Sequence, residues 1–307
     1  MKKKVVFIIP PTVELLDLAG PVQVFTEAKF YGFDIDIEFF TYQQEIISTA
    51  GLAFKHVDNY KKANLNAGDF LFIPGMNFEY VSSKGFKQEH DYFKWIKKRA
   101  AEKVNVCSVC NGAFALGEAG LLNNIKCTTH WRRIEELQTR FPAAKVVSDI
   151  VFVKQNNIYT SAGMSTGIDL ALAILEDLKG SLFTHKVVRG LEVFYRQNNK
   201  KDQNIYLRYR NHINPRIHTI QDYLIDNLAA ETNIKNLAEL IGMSSRNLSR
   251  IFKEKTGITI LEYITQLRLE NAKTLLKHPN VTLEYVAAVC GFKTTRQLQR
   301  ILKNSIE

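Results

Sequence analysis

The residues best suited to covalent chemistry in this 307-residue chain lie together at Ser108-Val109-Cys110-Asn111-Gly112-Ala113-Phe114. The apolar run Val104–Cys107 leads in, and a helical pattern from Gly112 to Ala119 leads out. A buried strand, a sharp turn carrying a cysteine, and small residues that let the next helix pack close make a nucleophile elbow. A thiol so placed sits by a helix N-terminus, whose partial positive charge favours thiolate. Cys110 is therefore expected to have a lowered pKa and to react before Cys107, Cys127 and Cys290, which read as core residues. A plain buried strand-end cysteine is the alternative. Cys107 and Cys110 also make a CxxC pair. One pair without a second, with Cys107 inside an apolar strand, points to neither a redox centre nor a zinc site. No metal and no cofactor is expected.

A second constellation carries polar recognition. Ala238 and Gly242 recur at Ala287 and Gly291, 49 positions on. Leu248, Arg250, Ile251 and Lys253 recur at Leu298, Arg300, Ile301 and Lys303, 50 positions on, so the second turn is one residue longer. In each copy a short apolar-faced helix ends at a glycine able to take the left-handed conformation. A pair, Ser244-Ser245 or Thr294-Thr295, then caps the next helix. This is a helix-turn-helix, twice. On the first recognition helix Leu248, Ile251 and Phe252 face inward, leaving Ser245, Arg246, Asn247, Ser249, Arg250 and Lys253 outside. The second copy offers Lys293, Thr294, Thr295, Arg296, Gln297, Gln299 and Arg300. These types suit phosphates and base edges, so double-stranded DNA is the expected partner. Either copy alone could be an ordinary αα-hairpin with a basic face; the repeat favours DNA.

These side chains need elements to hold them. Thr259 to Leu276 reads as one helix, spanning roughly 27 Å at about 1.5 Å per residue. That length could hold two recognition helices about one DNA turn apart, roughly 34 Å. Upstream, strand-like Val5–Ile9, Ile35–Tyr42, Phe70–Ile73 and Val104–Cys107 alternate with helical Gly20–Tyr31, Asp91–Ala101 and Gly112–Ala119. Such alternation predicts a parallel sheet flanked by helices. Val146–Val153 and Ile158–Thr160 read as a later strand pair turning at Asn156-Asn157, and Thr166–Lys179 as a further helix. Residues 181–232 read as mostly helical, with a polar break at Asn198-Asn-Lys-Lys-Asp202 as the linker.

The bulk numbers agree with two soluble domains. Hydrophobic residues make up 46% and charged residues 23%, and the net charge is +10. Residues 201–307 hold 16 Lys/Arg against 10 Asp/Glu, while residues 1–200 hold 25 against 21, so the shorter segment carries the larger excess. Met1-Lys-Lys-Lys and the apolar run after it are too short for a signal peptide, and no run approaches transmembrane length. Four cysteines without a secretory signal suggest a reducing cytoplasm. Neither a membrane nor an exported setting is expected.

From about Pro215 onward the chain resembles the AraC/XylS family of transcription regulators. The resemblance rests on Leu237-Ala238, Ile241-Gly242-Met243-Ser244, Leu248-Ser249-Arg250-Ile251-Phe252, Tyr263, Arg268-Leu269, Ala272 and Val286-Ala287 through Cys290-Gly291-Phe292. The family continues past its second recognition helix through a turn whose first-repeat counterpart here is Thr256-Gly257-Ile258-Thr259. This sequence ends at Glu307 without it, so Ile301, Leu302 and Ile306 are expected to be poorly covered.

Residues 4–180 resemble the ThiJ/PfpI branch of the class I glutamine amidotransferase-like superfamily, including its isocyanide hydratases. The motifs are Leu16-Asp17-Leu-Ala-Gly20-Pro21, Phe72-Ile73-Pro74-Gly75, Cys107 through Gly112, Thr128-Thr129-His130-Trp131, Ser161-Ala162-Gly163 and Thr166-Gly167-Ile168-Asp169. The resemblance implies an α/β flavodoxin-like sandwich followed by an all-α tandem helix-turn-helix domain. It aligns Cys110 with the family nucleophile and Asp17 with the carboxylate beside it. Gly75 and Met76 fall where backbone N–H groups line the pocket. Proteases of the superfamily have histidine after the cysteine; Asn111 stands here, so a cysteine-histidine hydrolase is not expected and His130 reads as structural.

The expected organisation is a sensor domain over 1–195, a linker over 196–214 and a DNA-binding domain over 215–307. The expected function is a transcription regulator controlled by a small metabolite bound near Asp17, Gly75, Met76, Cys110 and Asn111, dimerising through the N-terminal domain. The alternative is a cysteine-dependent hydratase or hydrolase acting on a small nitrogen compound through Cys110 and Asp17.

Overall fold

The computed structural model describes residues 2–193, 195–196, 209–210, 212–277 and 281–304. The chain divides into two compact units, Met1–Ile174 with Val187–Lys200, and Leu175–Lys186 with Lys201–Glu307. The polar break at 198–202 and Ile306 lie outside the described residues.

The first unit is built on a seven-stranded sheet of β1 (Lys3–Ile9), β2 (Ile35–Thr41), β3 (Asp58–Asn59), β4 (Phe70–Ile73), β5 (Asn105–Val109), β6 (Phe152–Gln155) and β7 (Ile158–Ser161). Their order across the sheet is β6-β7-β5-β4-β1-β2-β3. All neighbours run parallel except the β6–β7 hairpin. The central strands are continuous apolar runs because helices cover both faces, as parallel sheets require. On one face Phe25, from the helix Leu15–Phe30, packs edge-on against Phe72, which also touches Phe7. On the other, Phe114 from the helix Ala113–Glu118 joins Val6, Ile8, Leu71, Ile73 and Val106 in one buried cluster. These two helices bring the segments after β1 and β5 to the carboxyl edge of the sheet.

Several boundaries differ from the sequence reading. The first helix starts at Leu15 and absorbs Pro21, which forfeits one backbone N–H bond, because burial of Leu18, Val24 and Phe25 holds the helix together. The expected strand Val146–Val153 is broken. Lys145–Val146 pairs with Lys126–Cys127, and a separate strand begins at Phe152 after Asp149 takes a left-handed φ of 55°. The helix expected to end at Lys179 does so: the element Thr166–Leu191 is broken at Gly180, whose φ of 80° and ψ of 169° are not helical, and a second helical stretch follows.

Among the described residues, the second unit holds two small cores. The first gathers Ile217, Leu224, Leu237, Leu248, Phe252 and Tyr263; the second gathers Ala272, Val286, Cys290 and Leu298. The helix Ile260–Leu275 serves both, with Tyr263, Ile264 and Leu267 in the first core and Ala272 in the second. A capping box between Thr259 and Glu262 starts it at the expected residue. Among the described residues no helix is long and apolar enough to cross a membrane.

Candidate functional site

The elbow is present, and it is closed. Cys110 has a left-handed φ of 56° and opens a 3-10 turn, Cys110–Gly112, before the six-residue helix Ala113–Glu118. The five residues expected around the pocket do come together. Asp17 is fully buried, Met76 is 1% exposed, Asn111 6% and Cys110 7%. Gly75 has to be glycine for this packing: a Cβ there would strike Asp17 Oδ2 and lie 2.9 Å from Cys110 Cβ. Gly163, at φ 112°, presses on the thiol from the other side, where a Cβ would lie 2.7 Å from Sγ.

Most polar groups of the cluster already have partners. Asn111 Oδ1 accepts the Met76 N–H at 2.8 Å, and its Nδ2 donates to the Met76 carbonyl at 2.6 Å. The Met76 N–H, expected to line the pocket for a ligand, is therefore occupied by Asn111. Asp17 Oδ1 accepts the Met164 N–H at 2.7 Å. Its Oδ2 faces the Cys110 thiol and the Gly75 amide without a hydrogen bond of good geometry. Thr129 donates its hydroxyl to the Cys110 carbonyl at 2.9 Å, fixing the turn from below.

Burial then decides the electrostatics. Desolvation pushes the Asp17 carboxyl up to about 7; the Met164 N–H bond, and the polarity of the Cys110 thiol facing Oδ2, favour its charged form and oppose the shift only in part. The Cys110 thiol is pushed well above the ordinary thiol range, first by burial and then by the Asp17 charge beside it. This corrects the expectation of a lowered thiol pKa. The helix start is short, its stabilisation of thiolate arrives mainly through the Asn111 N–H, and the cost of burying a charge outweighs it. The arrangement is therefore a neutral thiol beside a carboxyl near half-protonation at pH 7, suited to exchanging hydrogen bonds with a ligand.

An open cleft of about 770 Å³ adjoins the elbow through Thr129, Ala162 and Thr166, and Trp131 lines its rim. His130 sets its ring against Trp131 at 5.8 Å, and burial with the neighbouring Arg132 and Arg133 lowers its pKa.

The two recognition helices are Ser245–Thr256 and Thr295–Asn304. Ser244 caps the first by accepting the Asn247 N–H at 3.3 Å, and Thr294 accepts the Gln297 N–H at 3.1 Å in the second. Arg246, Ser249 and Arg250 are exposed, as are Arg296, Gln299 and Arg300, while Leu248 and Leu298 are buried at the same register. Ser245, Asn247, Thr295 and Gln297 are half-buried, and Lys293 and Thr294 are exposed. Two side chains are tied down locally. Gln297 Oε1 accepts the Lys293 N–H at 2.9 Å, and Arg250 bonds both Asn247 and Glu254 at 3.1 Å. Ile301 and Leu302 are half-buried against the second core.

Comparison with known proteins matches this architecture. Residues 3–177 match the DJ-1/PfpI family. The chain belongs to that family. Residues 237–306 match a helix-turn-helix domain. The HTH-type transcriptional regulator GbdR of Pseudomonas aeruginosa is 29% identical over 210 residues, covering 68% of this chain and 56% of that protein. This chain thus spans little more than half the length of that relative. The isonitrile hydratase of Pseudomonas putida is 29% identical over 183 residues, covering 59% of this chain and 74% of that one. A solved AraC family transcriptional regulator from Pseudomonas putida superimposes with a TM-score of 0.53 at 19% identity, over 62% of this chain and 99% of that one, which speaks for the fold.

Within the DJ-1/PfpI unit, sequence reasoning missed three groups. Met164 supplies the N–H to Asp17 from 147 positions away, Gly163 covers the thiol, and Thr129 braces the turn. All lie in or beside motifs quoted for the resemblance, so their presence was visible while their roles were not. A fourth, Arg196, bonds the buried Asp169 through its backbone N–H at 2.7 Å and its guanidinium at 2.6 Å, anchoring the chain beyond the kinked helix.

Proposed function

We propose that this protein is a sequence-specific transcription regulator. In this reading a DNA-binding unit over 215–307 follows a DJ-1/PfpI sensor over 1–195, joined by 196–214. The observation that carries the reading is the matched exposure of two capped recognition helices, each presenting two arginines on one face. The helix-turn-helix match and the regulator GbdR support it. A small metabolite binds at the Asp17–Cys110 cluster, and the sensor forms a homodimer in the cytoplasm. Because that cluster is closed, a ligand must favour a second arrangement of it, and DNA affinity changes only by the difference in its affinity for the two.

The test is selection of a duplex from a random DNA pool by the full chain, followed by titration with candidate amines, amides and quaternary ammonium compounds. A chain that enriches no sequence refutes the proposal. The close approach of Asp17 to Cys110, together with the isonitrile hydratase relative, supports a second reading as a hydratase. The raised thiol pKa weighs against it. Isonitrile turnover abolished by Cys110→Ala would establish it.

A further inference from the structure

The two helix-turn-helix units share a left-handed glycine in the turn, with φ 64° at Gly242 and 73° at Gly291. Their surroundings differ. Among the described residues a Cβ at Gly242 would meet nothing within 4 Å, whereas one at Gly291 would lie 2.7 Å from the Leu228 carbonyl oxygen and 2.9 Å from Ala229 Cα. Leu228 belongs to the first core, just past the helix Pro215–Asp226. Arg268 of the connecting helix holds the same loop. Its Nε donates to the Leu228 carbonyl at 2.9 Å and its Nη2 to the Ala230 carbonyl at 2.7 Å. Along that helix Arg268 stands between Leu267, in the first core, and Ala272, in the second. One carbonyl oxygen is thus the meeting point of the first unit, the connecting helix and the second turn.

We propose that Arg268 and Gly291 are positioning residues that lock the second helix-turn-helix against the first, and so fix the spacing and phase at which the two recognition helices meet DNA. This rests on the reading that both helices contact DNA. A rigid joint presents the second helix already oriented, which lowers the ordering cost of the second contact. It also forbids adjustment. Each inserted base pair turns the next subsite by about 35° around the duplex, given 10–10.5 pairs per turn.

The experiment uses the full chain and the duplex it selects, with one to five base pairs inserted between the two contacted subsites. Wild type should lose at least about tenfold in affinity on insertion. Arg268→Gln and Gly291→Ala should bind the uninterrupted duplex about tenfold more weakly, then lose less than about threefold on insertion. Gly242→Ala carries the same left-handed penalty without the collision and should keep the wild-type spacing profile. A second readout needs no DNA and no folded Gly291 variant. Spin labels at Lys253→Cys and Lys303→Cys should give one narrow distance distribution in wild type and a broad one with Arg268→Gln. A steep spacing profile in both joint variants, or an unchanged distribution, overturns the proposal. A wild type that selects no duplex sinks the DNA reading instead, while the label distances still decide whether the joint exists.

Discussion

At the elbow, Asn111 has both ends of its amide on the Met76 backbone and Asp17 holds the Met164 N–H, so polar groups face one another in a space closed to water. On the helix Ser245–Thr256 the pattern is reversed: Leu248 and Phe252 are buried, and Arg246 and Arg250 stand in solvent. The comparison teaches where each unit keeps its energy. A buried polar group is held by its partners and resists change, and its protonation is set by desolvation. An exposed arginine contributes little to folding, and the bonds Arg250 makes to Asn247 and Glu254 lie in solvent, where a partner can exchange them.

The largest effect should come from the exposed side. If Arg246 and Arg250 read base edges, each is worth about 1–3 kcal/mol, so the double alanine variant should lose at least about thirtyfold in affinity for the selected duplex. Equilibrium titration would measure it, and unchanged binding would place recognition elsewhere.

The buried side should show itself as pH dependence. With the Asp17 carboxyl at about 7 in the folded protein, the folded state prefers the protonated acid. That preference is fully present below about pH 4, where the unfolded chain is protonated too, and is lost as pH rises to 7. The loss is up to about 4 kcal/mol for a shift of about three units. Asp17→Asn has no such proton, so its melting temperature relative to wild type should rise between pH 5 and pH 8. A difference independent of pH would mean that Asp17 stays ionised. The same variant removes the charge beside the thiol. Iodoacetamide should label Cys110 slowly in wild type at pH 8 and several-fold faster in Asp17→Asn, as read by mass-spectrometric mapping. Rapid labelling in wild type would restore the activated elbow.

Gly75→Ala tests how tightly the cluster is closed. Its methyl group would meet Asp17, Cys110 and Asn111 at once. Overpacking of this kind costs about 1–3 kcal/mol, measurable as a lower unfolding midpoint in urea. A neutral result would mean that the cluster opens easily. The smallest effect is expected at the recognition-helix cap, where Ser244→Ala should cost about 1 kcal/mol and increase amide exchange at Asn247. Exchange unchanged at that amide would show the cap to be dispensable.

The sequence by itself determined much of this molecule. The alternation of apolar runs and helical patterns specified the parallel sheet. The matched positions of Gly242 and Gly291, Ser244 and Thr294, Leu248 and Leu298 located both helix-turn-helix units and their exposed residues. These features are local: side-chain periodicity, a cap three residues from its amide and a glycine in a turn act within a few positions of one another. The elbow's place was legible for the same reason, but its chemistry was not. That Cys110 is a protonated thiol, that the Met76 N–H is taken, and that a Cβ at Gly291 would meet Leu228 while one at Gly242 would meet no described residue were decided by tertiary structure. Desolvation and close approach depend on segments such as Asp17 and Met164, 147 positions apart. Only the folded chain sets how near they come and how much water remains between them.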